Sequence, residues 1–408
     1  VSSTIPNKQK KIIKQMMKGF ESLDTYWKKQ TLSFQQKITT STLVLFIQFL
    51  KIIYKPFKKY FFKLNMPHEN LEIAVGNKLS AFKNPCTSNH SLSEKEILKF
   101  EQTGLHGPFQ LLSESEAHDL AQKAANLHKK DFNGTGILSS EIVQALKESN
   151  IYSINYSGLY QALYYPDFRN LLKKPELTHK IASLLGKDLI CWRSQFFEKT
   201  PASIGTFWHQ TGTFRESSKQ AKLQPSIGTD LGMVQISAWI ALTDSTIDNG
   251  CLRMLPGSFK DGRLEKVAYN LIENKFDFLL QQPSYKIKKI LNTLKFTPGN
   301  FLKAQLIFEI ATHLLPDLFE DSHVTDLEMK AGQAIIFTSL NVHASYPNTS
   351  NTRRLALGGR FTRSDVKVLG DTNYDIFPTP KGNIRFSLEK AACFQVLGKS
   401  PKHFNKLK

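Results

Sequence analysis

Two histidines and an arginine carry the most specific chemistry in this chain. His209 lies in GTFWHQTGTF (205–214), and His343 and Arg354 lie in LEMKAGQAIIFTSLNVHASYPNTSNTRRLALGGRF (327–361). An imidazole is the commonest protein metal ligand. A guanidinium fork matches a planar carboxylate in two parallel hydrogen bonds. A metal site beside an anion clamp is therefore one chemistry that these residues allow. The ordinary alternative is that each histidine, one of 11 in the chain, is simply packed or hydrogen-bonded in a β-rich segment.

Other chemistries fit less well. The four cysteines, Cys86, Cys191, Cys251 and Cys393, form no CxxC pair, so zinc ribbons and disulfide scaffolds are not indicated. Reduced thiols point to the cytoplasm. The segment DFNGTGILSSEI (131–142) resembles a calcium loop at Asp131, Asn133 and Gly136. Its twelfth position is Ile142, where a bidentate acid belongs, and no paired second loop follows.

Charge is distributed unevenly. Residues 1–90 hold 15 Lys, no Arg and four acids, a net +11 of the chain's +19. Such a basic extension favours an anionic partner. Within it, 41–66 places Leu50, Ile53, Tyr54, Phe57 and Phe61 at helical spacing, with lysines between them. That pattern is too short and too charged to span a bilayer. A basic amphipathic helix lying on a membrane surface fits it, and so does a helix packed on the protein's own core. Nucleic acid is disfavoured as a partner, because the lysine-rich region lacks Arg and any recognised module.

The elements that must position the histidines and Arg354 begin after a turn-rich linker at 67–95. Residues 96–187 read as mostly helical. Ser113 and Glu116 form a capping-box pattern that opens a helix through Lys129, and further helical patterns lie at Ser140–Glu148 and Glu176–Leu185. From 188 the texture becomes strand-like: Leu189–Glu198, Gly205–Gln210, Met233–Leu242, Cys251–Leu255, Asp326–Met329, Ala334–Thr338 and Leu355–Phe361. Turn signals such as Asp248-Asn249-Gly250, Pro256-Gly257 and Ala331-Gly332 separate them. Many short strands with such turns predict a β-sandwich or jelly roll with flanking helices. A lysine-rich helical insertion at 264–325 interrupts the strands and has the length of a lid. The expected organisation is a basic extension (1–95), a catalytic domain (96–370) and a C-terminal tail (371–408).

The three segments 205–214, 236–262 and 327–361 together resemble the phytanoyl-CoA dioxygenase family of Fe(II)/2-oxoglutarate enzymes. The resemblance covers about 188–264 and 326–364 and implies a double-stranded β-helix (jelly roll, cupin-like) core. It also implies Fe(II), the cosubstrate 2-oxoglutarate, and O2. Three protein ligands on one face of the iron leave positions open for the cosubstrate and O2. By this resemblance His209 and His343 are the histidine ligands, and Arg354, eleven residues after His343, clamps the far carboxylate of 2-oxoglutarate. Ser345 matches a small polar residue near that carboxylate. Gln195 and Lys199 fall where the family places cosubstrate or substrate contacts. Trp239 and Asp244 match a middle strand with a structural role. Arg353 should face away from Arg354, because side chains alternate along a strand.

The chain departs from the family at Thr211. The family pattern is His-x-Asp or His-x-Glu, and this chain reads His209-Gln210-Thr211. Related halogenases carry a small neutral residue there, and chloride takes the vacated place. The resemblance therefore implies oxidation of an unactivated C–H bond, with halogenation favoured and Thr211 and Phe214 shaping the halide pocket. The alternatives are a 2-oxoglutarate-dependent hydroxylase and a degenerate binding scaffold. The substrate expected is a small molecule or an acyl group, carried on an acidic carrier protein or presented at a membrane.

Overall fold

The computed structural model describes residues 88–133, 135–150, 152–210, 223–224, 235–261, 324–368, 374–379, 382–390, 393–401 and 405–407. Thr211, Phe214, the stretch 41–66 and residues 264–323 of the insertion lie outside the described residues. By its contacts the chain divides into two units. One comprises 1–68, 207–209 and 263–324; the other comprises 69–206, 210–262 and 325–408. Nearly everything described belongs to the second.

The second unit opens with helices that the sequence caps locally. Helix α1 (Glu94–Thr103) begins at a capping box in which the Glu96 carboxylate accepts from the Ser93 N–H at 2.8 Å. Strand β1 (Leu105–Gln110) follows. Helix α2 (Glu114–Lys129) has the capping box expected at Ser113 and Glu116. Ser139 caps α3 (Ser140–Glu148), and short α4 (Ile154–Ser157) comes next. Pro166 and Pro175 open α5 (Pro166–Leu172) and α6 (Pro175–Leu185), where a missing N–H is harmless. No described helix is long and apolar enough to cross a membrane.

The remaining strands are β2 (Leu189–Lys199), β3 (Thr206–His209), β4 (Leu223–Gln224), β5 (Gln235–Ala241), β6 (Leu252–Leu255), β7 (Thr325–Leu327), β8 (Gln333–Thr338), β9 (Val342–Ser345), β10 (Arg354–Arg363), β11 (Lys367–Val368), β12 (Tyr374–Thr379), β13 (Gly382–Ser387) and β14 (Phe394–Leu397). The main sheet runs β1-β8-β5-β10-β2-β14, antiparallel throughout. In a smaller sheet β6 pairs with β9 on one side and β7 on the other.

Period-2 alternation gives the main sheet two buried faces. On one, Ile236, Ala238, Ile240, Ile336, Leu355 and Leu357 pack with helical residues including Phe100, Phe168, Leu172 and Ile181. On the other, Trp239, Ala241, Ile335, Phe337 and Ala356 pack against Leu252, Met254 and Leu327 of the smaller sheet. Each fully buried large apolar side chain contributes about 2 kcal/mol. The architecture is the helix-flanked jelly roll expected from the strand pattern.

Two local expectations change. The reading of 96–187 as mostly helical missed β1, an edge strand that bulges past His106 before resuming at Phe109. Pro108 there lacks a ladder donor, which an edge tolerates. The C-terminal stretch 371–408 contains β12, β13 and β14, and β14 extends the main sheet along β2. At the calcium-loop likeness already set aside for lack of an acid at Ile142, the Asp131 carboxylate accepts from Lys147 Nζ at 3.2 Å and from the Tyr152 hydroxyl.

Candidate active site

Strand β10 is buried at all ten positions, yet it carries Arg354 and Arg360. Buried arginines are rare unless something anionic meets them. Both residues share a face with Ala356, which packs between the sheets. Cross-strand register arranges this inner face in rows. Arg354 pairs with Lys199, Gly358 lies between Gln195 and Trp239, and Arg360 lies between Arg193 and Ser237.

Arg354 is 2% exposed and Lys199 is 5% exposed. Among the described residues neither makes an ion pair. Arg354 Nη1 donates to the Phe197 carbonyl at 3.4 Å, its guanidinium carbon lies 5.3 Å from the centre of the Trp239 ring, and its Nε is buried without a hydrogen-bond partner. Lys199 Nζ donates to the Ile204 carbonyl. Burial pushes Arg354 down to about 10, against smaller opposing pulls from Cys251 and Glu198. It pushes Lys199 down to about 7, and the neighbouring Arg354 charge adds to the shift. Arg353 turns away as alternation requires, and its Nε donates to Glu198. Of two adjacent arginines, one therefore has a carboxylate of the chain and the other does not. Two uncompensated buried cations cost on the order of several kcal/mol each, so the Arg354–Lys199 pair suits a bound dianion.

The turn between β8 and β9 carries the chain from the main to the smaller sheet, and it aims His343. His343 is 4% exposed, and its Nδ1 lies 2.8 Å from the Asn341 carbonyl. A carbonyl oxygen can only accept, so Nδ1 carries the proton, and Nε2 is the ring nitrogen left to act as a ligand. This is the usual arrangement behind a metal-bound imidazole. The Phe337 ring meets His343 edge-on, with centroids 5.3 Å apart. The Asn341 side chain is held in turn by the Thr103 carbonyl at 2.8 Å.

The residues on either side of His209 are anchored. Thr206 N–H donates to Ser345 Oγ at 3.2 Å, and Gln210 Nε2 donates to the Leu340 carbonyl at 2.7 Å. Ser345 thus holds the start of β3. Gln195 shares the inner face with Lys199. Asp244 is a turn residue: it accepts from the Ala331 N–H at 2.9 Å and pairs with Lys330 at 3.0 Å. Among the described residues no three His, Cys, Asp or Glu side chains cluster as a metal site.

Trp239 is the site residue that sequence reading undervalued as structural. Its ring flanks Arg354, and its Nε1 is buried without a partner among the described residues. Two inward donors, Arg354 Nε and Trp239 Nε1, thus stand ready beside Lys199. The donor set fits a dicarboxylate such as 2-oxoglutarate, and the steered imidazole of His343 fits a metal.

The fold defines the class, a helix-flanked antiparallel jelly roll. Within it, this chain belongs to the phytanoyl-CoA dioxygenase family: residues 100–356 match the family described as phytanoyl-CoA dioxygenase (PhyH). A rice protein (Oryza sativa subsp. japonica) named phytanoyl-CoA dioxygenase 1 is 26% identical over 213 residues, 52% of this chain and 58% of its own length. An Arabidopsis thaliana phytanoyl-CoA dioxygenase is 28% identical over 127 residues, 31% of this chain and 32% of its own. The chain therefore spans about half or less of these relatives. The solved structure of CytC3 with Fe(II) and alpha-ketoglutarate shares the fold at a TM-score of 0.52 and 22% identity, covering 79% of this chain and 94% of that one.

Proposed function

We propose that this chain uses Fe(II) and 2-oxoglutarate to oxidise an unactivated C–H bond, and that the reaction is halogenation. The observation that carries the cosubstrate is the buried Arg354–Lys199 pair, which makes no ion pair among the described residues. His209 and His343 are the proposed iron ligands. Iron, 2-oxoglutarate and O2, when bound, supply the oxidising power.

The chain's own residues supply placement. Arg354 forks one carboxylate, and Lys199 adds a second positive charge on the same row. The Trp239 indole N–H offers a further donor. Asn341 fixes the tautomer and direction of the His343 ring. Phe337, Trp239 and Met254 keep the space between the sheets apolar, which strengthens each charged contact. Thr211 brings no negative charge where the family has a carboxylate, so a halide can restore it. Membership of a family named for dioxygenases favours a hydroxylase as the second reading.

The deciding experiment combines spectroscopy with product analysis. Under anaerobic conditions, Fe(II) plus 2-oxoglutarate should give a metal-to-ligand charge-transfer band, and chloride should shift it. Thr211→Asp should abolish the chloride response while keeping the band. A band indifferent to chloride would favour hydroxylation. Absence of any band in the full chain would sink the enzyme reading and leave a binding scaffold.

A further inference from the structure

The connection between β9 and β10, residues 346–353, joins the strand of His343 to the strand of Arg354. Asn348 lies within it, 1% exposed. A buried asparagine on a loop needs partners for its amide donors and for its carbonyl oxygen. Asn348 has them all. Its Nδ2 donates to the Lys199 carbonyl at 3.0 Å and to the Thr352 carbonyl at 2.7 Å. Its Oδ1 accepts from the Ser350 N–H at 3.0 Å and from Ser350 Oγ at 2.8 Å. Its backbone is engaged as well. The N–H donates to the Ser203 carbonyl at 2.9 Å, and the carbonyl accepts from the Ala202 N–H at 3.0 Å.

These bonds converge on the cosubstrate clamp. The pairing of Arg354 with Lys199 is the last rung of the β10–β2 ladder at that end. Beyond it one side-chain amide takes over from the backbone, tying the Lys199 carbonyl to that of Thr352, two residues before Arg354. The turn after β2 is clasped too. Ala202 there has a φ of 64°, a left-handed conformation that strains a non-glycine residue, and its N–H is one that Asn348 holds. Ile204, at the end of the same turn, supplies the carbonyl on which Lys199 Nζ rests. Lys199 is therefore fixed at its backbone and at its ammonium by elements that Asn348 joins. Gly250 leaves room for the arm between them, because a Cβ there would collide with Lys199 Cδ.

We infer that Asn348 is a positioning residue for the cosubstrate: it sets where Lys199 stands relative to Arg354, so that both cations meet one dianion. Two buried positive charges repel, and without a tie across the strand ends they move apart. Asn348 touches neither iron nor 2-oxoglutarate in this assignment and acts through Lys199 above all. The inference rests on the 2-oxoglutarate reading.

The test titrates 2-oxoglutarate into the full chain loaded anaerobically with Fe(II), read by the charge-transfer band and by calorimetry. Asn348→Ala leaves two buried carbonyls without their donor and should raise the half-saturation concentration about tenfold. The band at saturation should keep its energy and intensity, whereas general damage to the site would lower the intensity. Coupling gives a second readout. In a Lys199→Met background the same Asn348→Ala change should weaken 2-oxoglutarate less than about threefold, because the cation that Asn348 positions is gone. Asn348→Ser, which keeps one donor, should fall between parent and Asn348→Ala. Should the Asn348 variants fold poorly, Ser350→Ala, which removes one bond to Oδ1 at a half-buried position, should still raise the midpoint about twofold. Equal midpoints in parent and variants, equal losses with and without Lys199, or a band that fades together with affinity would each overturn the inference. A parent that shows no band would overturn the cosubstrate reading and this one with it. A parent with a normal band and an Asn348→Ala variant of unchanged midpoint would overturn this one alone.

Discussion

Lys199 is the residue whose charge the site controls most directly. Its folded value of about 7 lies below the ordinary 10.5. Below pH 7 the folded chain holds a buried ammonium and the full burial penalty is present. Between about 7 and 10.5 the unfolded chain binds more protons than the folded one, so stability rises with pH across that window. A bound dianion reverses the preference and restores the ammonium. Cosubstrate binding above pH 7 should therefore take up a proton, and affinity should weaken by up to about tenfold per pH unit. Calorimetry at pH 8 in buffers of different ionisation enthalpy reads the uptake directly. Lys199→Met should bind 2-oxoglutarate more weakly and lose both signals. Equal heats in all buffers with the parent protein would show that Lys199 does not face the cosubstrate. The sequence pointed to Lys199 through its place on the strand before His209. It could not show that Arg354 sits opposite, because register between β2 and β10 is a tertiary fact. Trp239 was hidden for the same reason: a missing indole partner is visible only once the neighbours are in place.

At the scale of elements, legibility followed how local the cause is. The capping boxes at Ser93 and Ser113 and the Ala331-Gly332 turn are written in adjacent residues. Gly332 illustrates the turn. Its φ is +87°, a Cβ there would lie 2.3 Å from the Leu112 carbonyl oxygen, and its own carbonyl accepts from both Leu111 and Leu112 N–H at 3.0 Å. Gly332→Ala should therefore destabilise the domain by about 3 kcal/mol, combining left-handed strain with a backbone clash. Urea unfolding measures it, and a loss under about 0.5 kcal/mol would mean that the turn relaxes freely. Strands β1 and β9 were missed because each is short, and β1 is interrupted by Gly107-Pro108. Residues 371–408 lack a clear period because β14, although its burial alternates, is only four residues long, too short to establish a repeat. The arginines of β10 misled in another way. A strand buried at every position should read as continuously apolar, and the exceptions are where the candidate chemistry lies.

For the whole molecule, the uneven charge read from composition leads to the expectation of a basic extension, 1–95, beside a milder body. Lys51, Lys55, Lys58, Lys59 and Lys63 alternate with apolar residues in 41–66, outside the described residues. Near an anionic bilayer each lysine contributes about 1 kcal/mol, while the aromatic and aliphatic positions add burial in the interface. The full chain should therefore associate with phosphatidylserine vesicles at low salt and release as ionic strength shortens the reach of the charges. Changing the five lysines to glutamine should weaken association at least a hundredfold, because the electrostatic term is then mostly removed. Cosubstrate affinity should stay unchanged, because Arg354 and Lys199 are buried in the jelly roll and make no use of the extension's field. Vesicle co-sedimentation alongside 2-oxoglutarate calorimetry reads both arms. A wild-type chain that ignores anionic vesicles at low salt would assign the basic extension to an acidic protein instead, with a carrier-bound acyl group as the natural cargo.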